Sequence, residues 1–257
     1  MNYVNPRIVV ENHSKGFEIP KWHVAIMCFH SIEKTLFIAR SFAAKPIGYR
    51  LFSKCDKNMV FESVINNKKI GILGWCTGGG PMVASLIEEL ATTGVKYVIG
   101  IGAAASIVNT IQQNKIIVPT KLLVNDGVSK IYYKKEYIEI DPKIRTLIRS
   151  IMIKERIDYF EVKGATIEAL YRQDEKMLNP WRKQGIQIVN WELTPFFSTS
   201  EVCGINCMWI GHISDVECER VWKNWYLDRK NTFEEVVKIS KLLICRMLED
   251  CGDENKF

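Results

Sequence analysis

Short apolar runs alternate with stretches whose apolar residues return every three or four positions, and this alternation of periods continues along most of the chain. His23-Val24-Ala25-Ile26-Met27-Cys28-Phe29 has the length and β-branched content of a strand. Ile32, Leu36, Ile38, Ala39 and Phe42 then recur at helical spacing. Ile47–Phe52 and Met59–Ile65 read as strands, and Asn66-Asn67 turns the second into Lys69–Trp75 as a hairpin. Thr77-Gly78-Gly79-Gly80-Pro81 leads into a helix with Val83, Leu86, Ile87 and Leu90 on one face, which Gly94 stops. Val95–Ile101 is apolar throughout, as a parallel strand buried on both faces would be. Ile116–Pro119 and Cys207–Ile213 are further strands. Asp141-Pro142 starts a helix to about Ile153, and Glu175–Lys183, Glu192–Val202 and Phe233–Leu248 are also predicted helices.

Strands interleaved with helices predict a single α/β domain with a mixed sheet. The first twenty residues are polar and broken by Pro6 and Pro20, so residues 1–22 read as an N-terminal arm, 23–250 as the domain and 251–257 as a tail. At 257 residues and 47% hydrophobic content the chain can build a full core without disulfide staples. The eight cysteines form no Cys-x-x-Cys pair, and buried reduced thiols of a cytoplasmic protein are the expectation. Cys203-x3-Cys207 has no further ligand at zinc-finger spacing, so no metal or cofactor is expected. The 35 Lys+Arg and 29 Asp+Glu leave a net charge of +6 that is spread along the chain, which argues against a nucleic-acid partner. No apolar run reaches membrane-spanning length.

In open α/β sheets, ligands collect at the carboxyl ends of strands. Four such places stand out: His30–Glu33, Gly78–Gly80, Gly102–Ser106 and Ser214-Asp215. The glycine triplet lacks the Lys-Ser/Thr of a phosphate-binding loop, so it is read equally as an anion cradle or as a tight structural turn.

Five short motifs resemble, in order, the core of the nucleoside phosphorylase/nucleosidase superfamily. They are Trp75-Cys76-Thr77-Gly78-Gly79-Gly80-Pro81, Ile99-Gly100-Ile101-Gly102-Ala103-Ala104-Ala105-Ser106, Ile117-Val118-Pro119-Thr120, Val189-Asn190-Trp191-Glu192 and Ile213-Ser214-Asp215-Val216. The resemblance runs from about residue 23 to 248. It implies a three-layer α/β/α sandwich whose mixed sheet curls into a distorted barrel, and an enzyme that cleaves the N-ribosyl bond of a nucleoside, with purines favoured.

The same resemblance implies roles for residues. Asp215, following Ser214, would protonate or hydrogen-bond the leaving base, which requires its carboxyl proton to be held at neutral pH. Glu192 would accept hydrogen bonds from the ribose 2′- and 3′-hydroxyls. Leu170, Tyr171 and Trp191 would form the shelf around the base, Gly102 and Ala103 would also bind substrate, and Arg229 occupies about the place where purine phosphorylases put a basic partner for the acid. Glu33, after the first strand, falls where hydrolytic members place the base that activates water, with His30 an alternative and a helix-initiating acid the plainer reading.

Departures from the family pattern set the reaction type. Phosphorylases grip phosphate with a Gly-Asp-Pro-x-Arg loop and with an Arg and a Ser near the central strand; here the loop is Cys28-Phe29-His30-Ser31-Ile32-Glu33 and the later positions are Gly100 and Ala103. Each lost charge-assisted contact is worth about 1.5–3 kcal/mol. Phosphate is therefore doubtful and hydrolysis is expected. A phosphorylase rebuilt around Lys34, Arg40, Arg50 or the glycine amides is the second expectation, and a non-catalytic nucleoside-binding protein, suggested also by Asn190 in place of the usual Glu, is the third. The aromatic segment Glu217–Tyr226 reads as a lid or a subunit contact, and a homodimer or hexamer is implied by resemblance alone.

Overall fold

The computed structural model of the protein describes residues 3–14, 18–47, 59–219, 221–223 and 230–250. The strands are β1 (Val24–Cys28), β2 (Lys45–Pro46), β3 (Val60–Ile65), β4 (Lys68–Leu73), β5 (Tyr97–Ser106), β6 (Ile116–Leu123), β7 (Tyr137–Glu139), β8 (Tyr159–Thr166), β9 (Ile188–Asn190), β10 (Asn206–Cys218) and β11 (Val221–Lys223). The helices are α1 (Pro6–His13), α2 (Ile32–Ser41), α3 (Gly79–Ala91), α4 (Gly127–Tyr132), α5 (Pro142–Glu155), α6 (Glu175–Lys183), α7 (Leu193–Val202) and α8 (Lys230–Asp250).

All the strands among the described residues belong to one mixed sheet, and part of it closes on itself. β5 pairs with β10, β10 with β6, β6 with β8, β8 with β9, and β9 returns to β5. From β5 the sheet continues outward through β1, β4, β3 and β2. The distorted barrel and the layered α/β/α arrangement expected from the sequence are both present. α3, α4 and α7 pack together, and α5 packs against α8. β1 and the middle of β5 are buried on both faces, which is why their sequences carry no alternation.

Several elements differ from the sequence reading. The arm contains α1, which begins at Pro6 behind an Asn5 side-chain cap and buries Val10. Trp22, at the arm's end, is also buried and lies across Gly71 of β4, where a Cβ would sit 2.2 Å from its ring. β8 was not anticipated because its Glu161 interrupts the apolar pattern; that charge is held by Arg149 at 2.7 Å and Arg145 at 3.0 Å from α5. Most of the expected strand Ile47–Phe52 and all of the tail lie outside the described residues.

β10 also runs five residues further than its apolar run, to Cys218, and carries a bulge between Ile213 and Asp215. A bulge shifts the two-residue alternation by one. His212 before it and Asp215 and Glu217 after it therefore line the same cavity, while Ile213 is fully buried.

Candidate functional site

The carboxyl ends of β1, β5, β9 and β10 converge on a cavity of about 300 Å³. Glu192 and Asp215 both line it, and both are buried. Glu192 caps α7 by position, yet the amides of that helix are satisfied elsewhere: Asn190 Oδ1 accepts from the Glu192 and Leu193 N–H groups at 3.1 and 2.8 Å, and Thr166 accepts from Thr194 at 2.9 Å. This releases the Glu192 carboxylate to accept from the backbone amides of Trp191 and Gly79. Burial nevertheless dominates and pushes Glu192 up to about 8, so it binds its proton far more tightly than an exposed acid.

The glycine triplet serves this arrangement without lining the cavity. Gly79 sits at φ +71°, where residues with a Cβ are strained, and aims its amide at Glu192. Gly80 lets α3 approach α7, since a Cβ there would meet Pro195 at 2.9 Å. Of the triplet, Gly79 thus turns its amide to the chain's own carboxyl at Glu192, while Gly80 serves packing. Pro195 falls in the first turn of α7, where its missing N–H is harmless.

Asp215 is held from two sides. The indole Nε1–H of Trp222 on β11 donates to Asp215 Oδ2 at 2.9 Å, and the Ser214 hydroxyl reaches both Asp215 Oδ1 and, at 3.2 Å, the Ala104 carbonyl oxygen. The aromatic segment after β10 therefore folds back onto the acid through Trp222; Trp225 and Tyr226 lie outside the described residues, as does Arg229.

Leu170, Trp191 and Ala103 line the cavity. Three expectations are corrected. Glu33 is exposed and does not line it; its carboxylate turns to the Ser31 hydroxyl and to its own amide, and this holds its pKa below the ordinary value. It is the first-turn acid of α2, because the helix directs Lys34 and the preceding His30 inward instead. Gly102 is turned from the cavity against Trp209, whose ring a Cβ would meet at 2.6 Å. Tyr171 is 92% exposed and lines a neighbouring cavity of about 470 Å³ with Trp222.

Sequence reasoning missed His212, Gln173 and Glu217, all of which line the main cavity. His30 and His212 stack with ring centroids 5.3 Å apart and planes within 11°, and the edge of Phe233 from α8 closes on His30 at 5.0 Å. Lys34 lies 4.8 Å from the same phenyl ring. Gln173 and Glu217 lie on the wall shared with the neighbouring cavity. The only available signal was the Asp215-x-Glu217 spacing, which places both acids on one strand face once β10 is known to extend that far. Among the described residues, no group of three His, Cys, Asp or Glu is placed to hold a metal.

A family model described as the phosphorylase superfamily matches residues 62–249. A crystal structure of AMP nucleosidase from Bacteroides thetaiotaomicron is similar in fold, with a TM-score of 0.76 and 14% sequence identity over 97% of this chain and 100% of that one. An uncharacterized protein of Acanthamoeba polyphaga mimivirus, R802, is 21% identical over 165 residues, which are 63% of this chain and 64% of the relative. The chain thus spans less than two thirds of that relative's length.

Proposed function

From the premise that this chain belongs to the phosphorylase superfamily, we propose that it cleaves the N-ribosyl bond of a nucleoside, of purine type, by hydrolysis in preference to phosphorolysis. The observation that carries this reading is that Glu192 and Asp215 line one cavity, in which no arginine stands among the described residues. The ribose diol donates its hydroxyls to Glu192, which restores the stabilisation of charge that burial removed and favours the carboxylate as positive charge develops at the anomeric carbon. The base rests between Leu170 and Trp191 with its ring nitrogens toward the Asp215 end of β10. With Glu33 outside the cavity, His30 and His212 are the groups that can take the proton of an attacking water. The structural neighbour's name, a nucleosidase, agrees with this choice.

A phosphorolytic reading is favoured by one observation: Lys34 and the two histidines bring potential cationic groups to one side of the cavity. Incubation with a panel of purine and pyrimidine nucleosides, with and without phosphate, separates the two. Free ribose formed at equal rates in both conditions is the expected result, and strict dependence on phosphate with release of ribose-1-phosphate overturns hydrolysis. Tight nucleoside binding by calorimetry without any turnover would assign the chain to a binding role. The cytoplasmic, homodimeric or hexameric state belongs to the same proposal, and light scattering coupled to size exclusion measures the oligomer.

A further inference from the structure

We propose that the cavity of about 470 Å³ beside the main one receives an apolar substituent of the base, so that the substrates are purine ribosides alkylated on the exocyclic 6-amino group. This rests on the N-ribosyl-cleavage reading above and names the substrate class for the same site.

The two cavities share a wall formed by Leu170, Gln173 and Glu217. Trp222 links them further, because its indole holds Asp215 of the main cavity while the same residue lines the second. A purine riboside joined through N9 carries N7 and its 6-substituent on one edge. With N7 toward Asp215, the 6-substituent extends past the acid into the space beside Trp222. At about 300 Å³ the main cavity sits at the bottom of the ~300–1,000 Å³ range of small-molecule sites, and the second cavity more than doubles it.

The second cavity suits an apolar group. The turn Leu170–Arg172 and α6 supply Leu170, Tyr171 and Leu178, and β11 adds Val221 and Trp222. Tyr171, Val221 and Trp222 are 92%, 58% and 48% exposed, so three large side chains around one hollow stand to leave water when a ligand fills it. Two carboxylates beside it are engaged within the fold: Asp174 accepts from the Met177 N–H at 2.9 Å, and Glu175 pairs with Arg182 at 2.7 Å. Gln173 stands at the passage. Its Nε2 donates to the Leu170 carbonyl at 3.0 Å, which leaves the buried Oε1 as an acceptor with no donor among the described residues. A singly alkylated 6-amino group keeps one N–H, the kind of donor that Oε1 lacks.

An apolar group on the sugar is directed elsewhere, because the ribose is held at Glu192, which lines the main cavity and not the second. An unsubstituted purine leaves the hollow to water. A substituent that displaces this water gains affinity with the apolar area it buries. The gain falls in KM and not in kcat, since the substituent touches no reacting atom.

The test measures kcat/KM of the full chain on adenosine, on N6-benzyladenosine and on 5′-benzylthio-5′-deoxyadenosine, which carries the same ring on the sugar. N6-benzyladenosine should exceed adenosine by about tenfold or more, chiefly through a lower KM. Val221→Trp, which fills the second cavity from its rim, should remove that advantage and leave adenosine and the 5′-benzylthio substrate within about twofold of wild type. Tyr171→Ala, a truncation at an exposed position that cannot crowd the fold, should lower the preference as well. N6-benzyladenosine cleaved no better than adenosine, or equal losses on all three substrates in Val221→Trp, would overturn the inference. If the wild type cleaves no riboside, the cleavage reading fails, and calorimetry with the free bases decides the cavity by itself. N6-benzyladenine binding about tenfold or more tighter than adenine, with the margin lost in Val221→Trp, supports the substituent site; equal affinities overturn it.

Discussion

The indole of Trp209 fills the space that any side chain on Gly100 would need: a Cβ there would lie 2.3 Å from Trp209 Cδ1 and 3.1 Å from Phe29 Cε2. The buried tryptophan thus leaves no room for any side chain at position 100, including the arginine that the resemblance to phosphorylases would place there. Gly100→Ala should destabilise the protein by about 1–3 kcal/mol, the usual penalty for overpacking a close-packed core. Thermal unfolding should show this as a drop of roughly 2–4 °C for each kcal/mol. The same substitution in a Trp209→Leu background should be markedly milder; strictly additive effects would show that the two residues do not compete for space.

Trp222→Phe keeps an aromatic ring on β11 and removes the N–H that Asp215 Oδ2 accepts. A hydrogen bond to a buried charge is worth about 1.5–3 kcal/mol, and the variant should lose stability of that order at pH 7 in denaturant titrations. Nucleoside cleavage should fall as well, because Asp215 loses one of the two groups that fix its position. Unchanged stability and activity would mean that Asp215 is held by Ser214 alone.

Glu192 titrates at about 8 in the folded protein and near the ordinary carboxylate value of ~4.3 when unfolded. The folded state therefore binds more protons between these values, and stability contributed by this residue falls as pH rises across that window. Glu192→Gln should melt at nearly the wild-type temperature at pH 4 and several degrees above it at pH 9. Parallel melting curves for the two proteins would mean that Glu192 is ionised in the native state throughout. The gain in stability should come with loss of nucleoside binding, since the glutamine cannot supply the charge.

Glu33→Gln should leave nucleoside cleavage and stability almost unchanged, because an exposed first-turn acid interacts only with the start of its own helix. A loss of activity of tenfold or more in steady-state kinetics would return Glu33 to the role its place after β1 suggested.

The scaffold was legible because its signals are local. The unbroken apolar run of β5, the capped start at Asp141-Pro142 and the Asn66-Asn67 turn each depend on residues a few positions apart. Glu192 and Asp215 could be named from short motifs, and the fold brings both to one cavity. β8 was hidden because its Glu161 finds its partners, Arg145 and Arg149, on a helix that only the folded chain sets beside it.

The amino-acid order alone determined the alternation of elements and the family resemblance, since both are written in neighbouring side chains. Tertiary structure decided what those residues face. The bulge in β10 turned Glu217 to the cavity side, the first turn of α2 turned Glu33 to solvent, and contact between α3 and α7 turned a glycine amide toward Glu192. Orientation of this kind follows from register and packing between segments distant along the chain, and no local pattern encodes it.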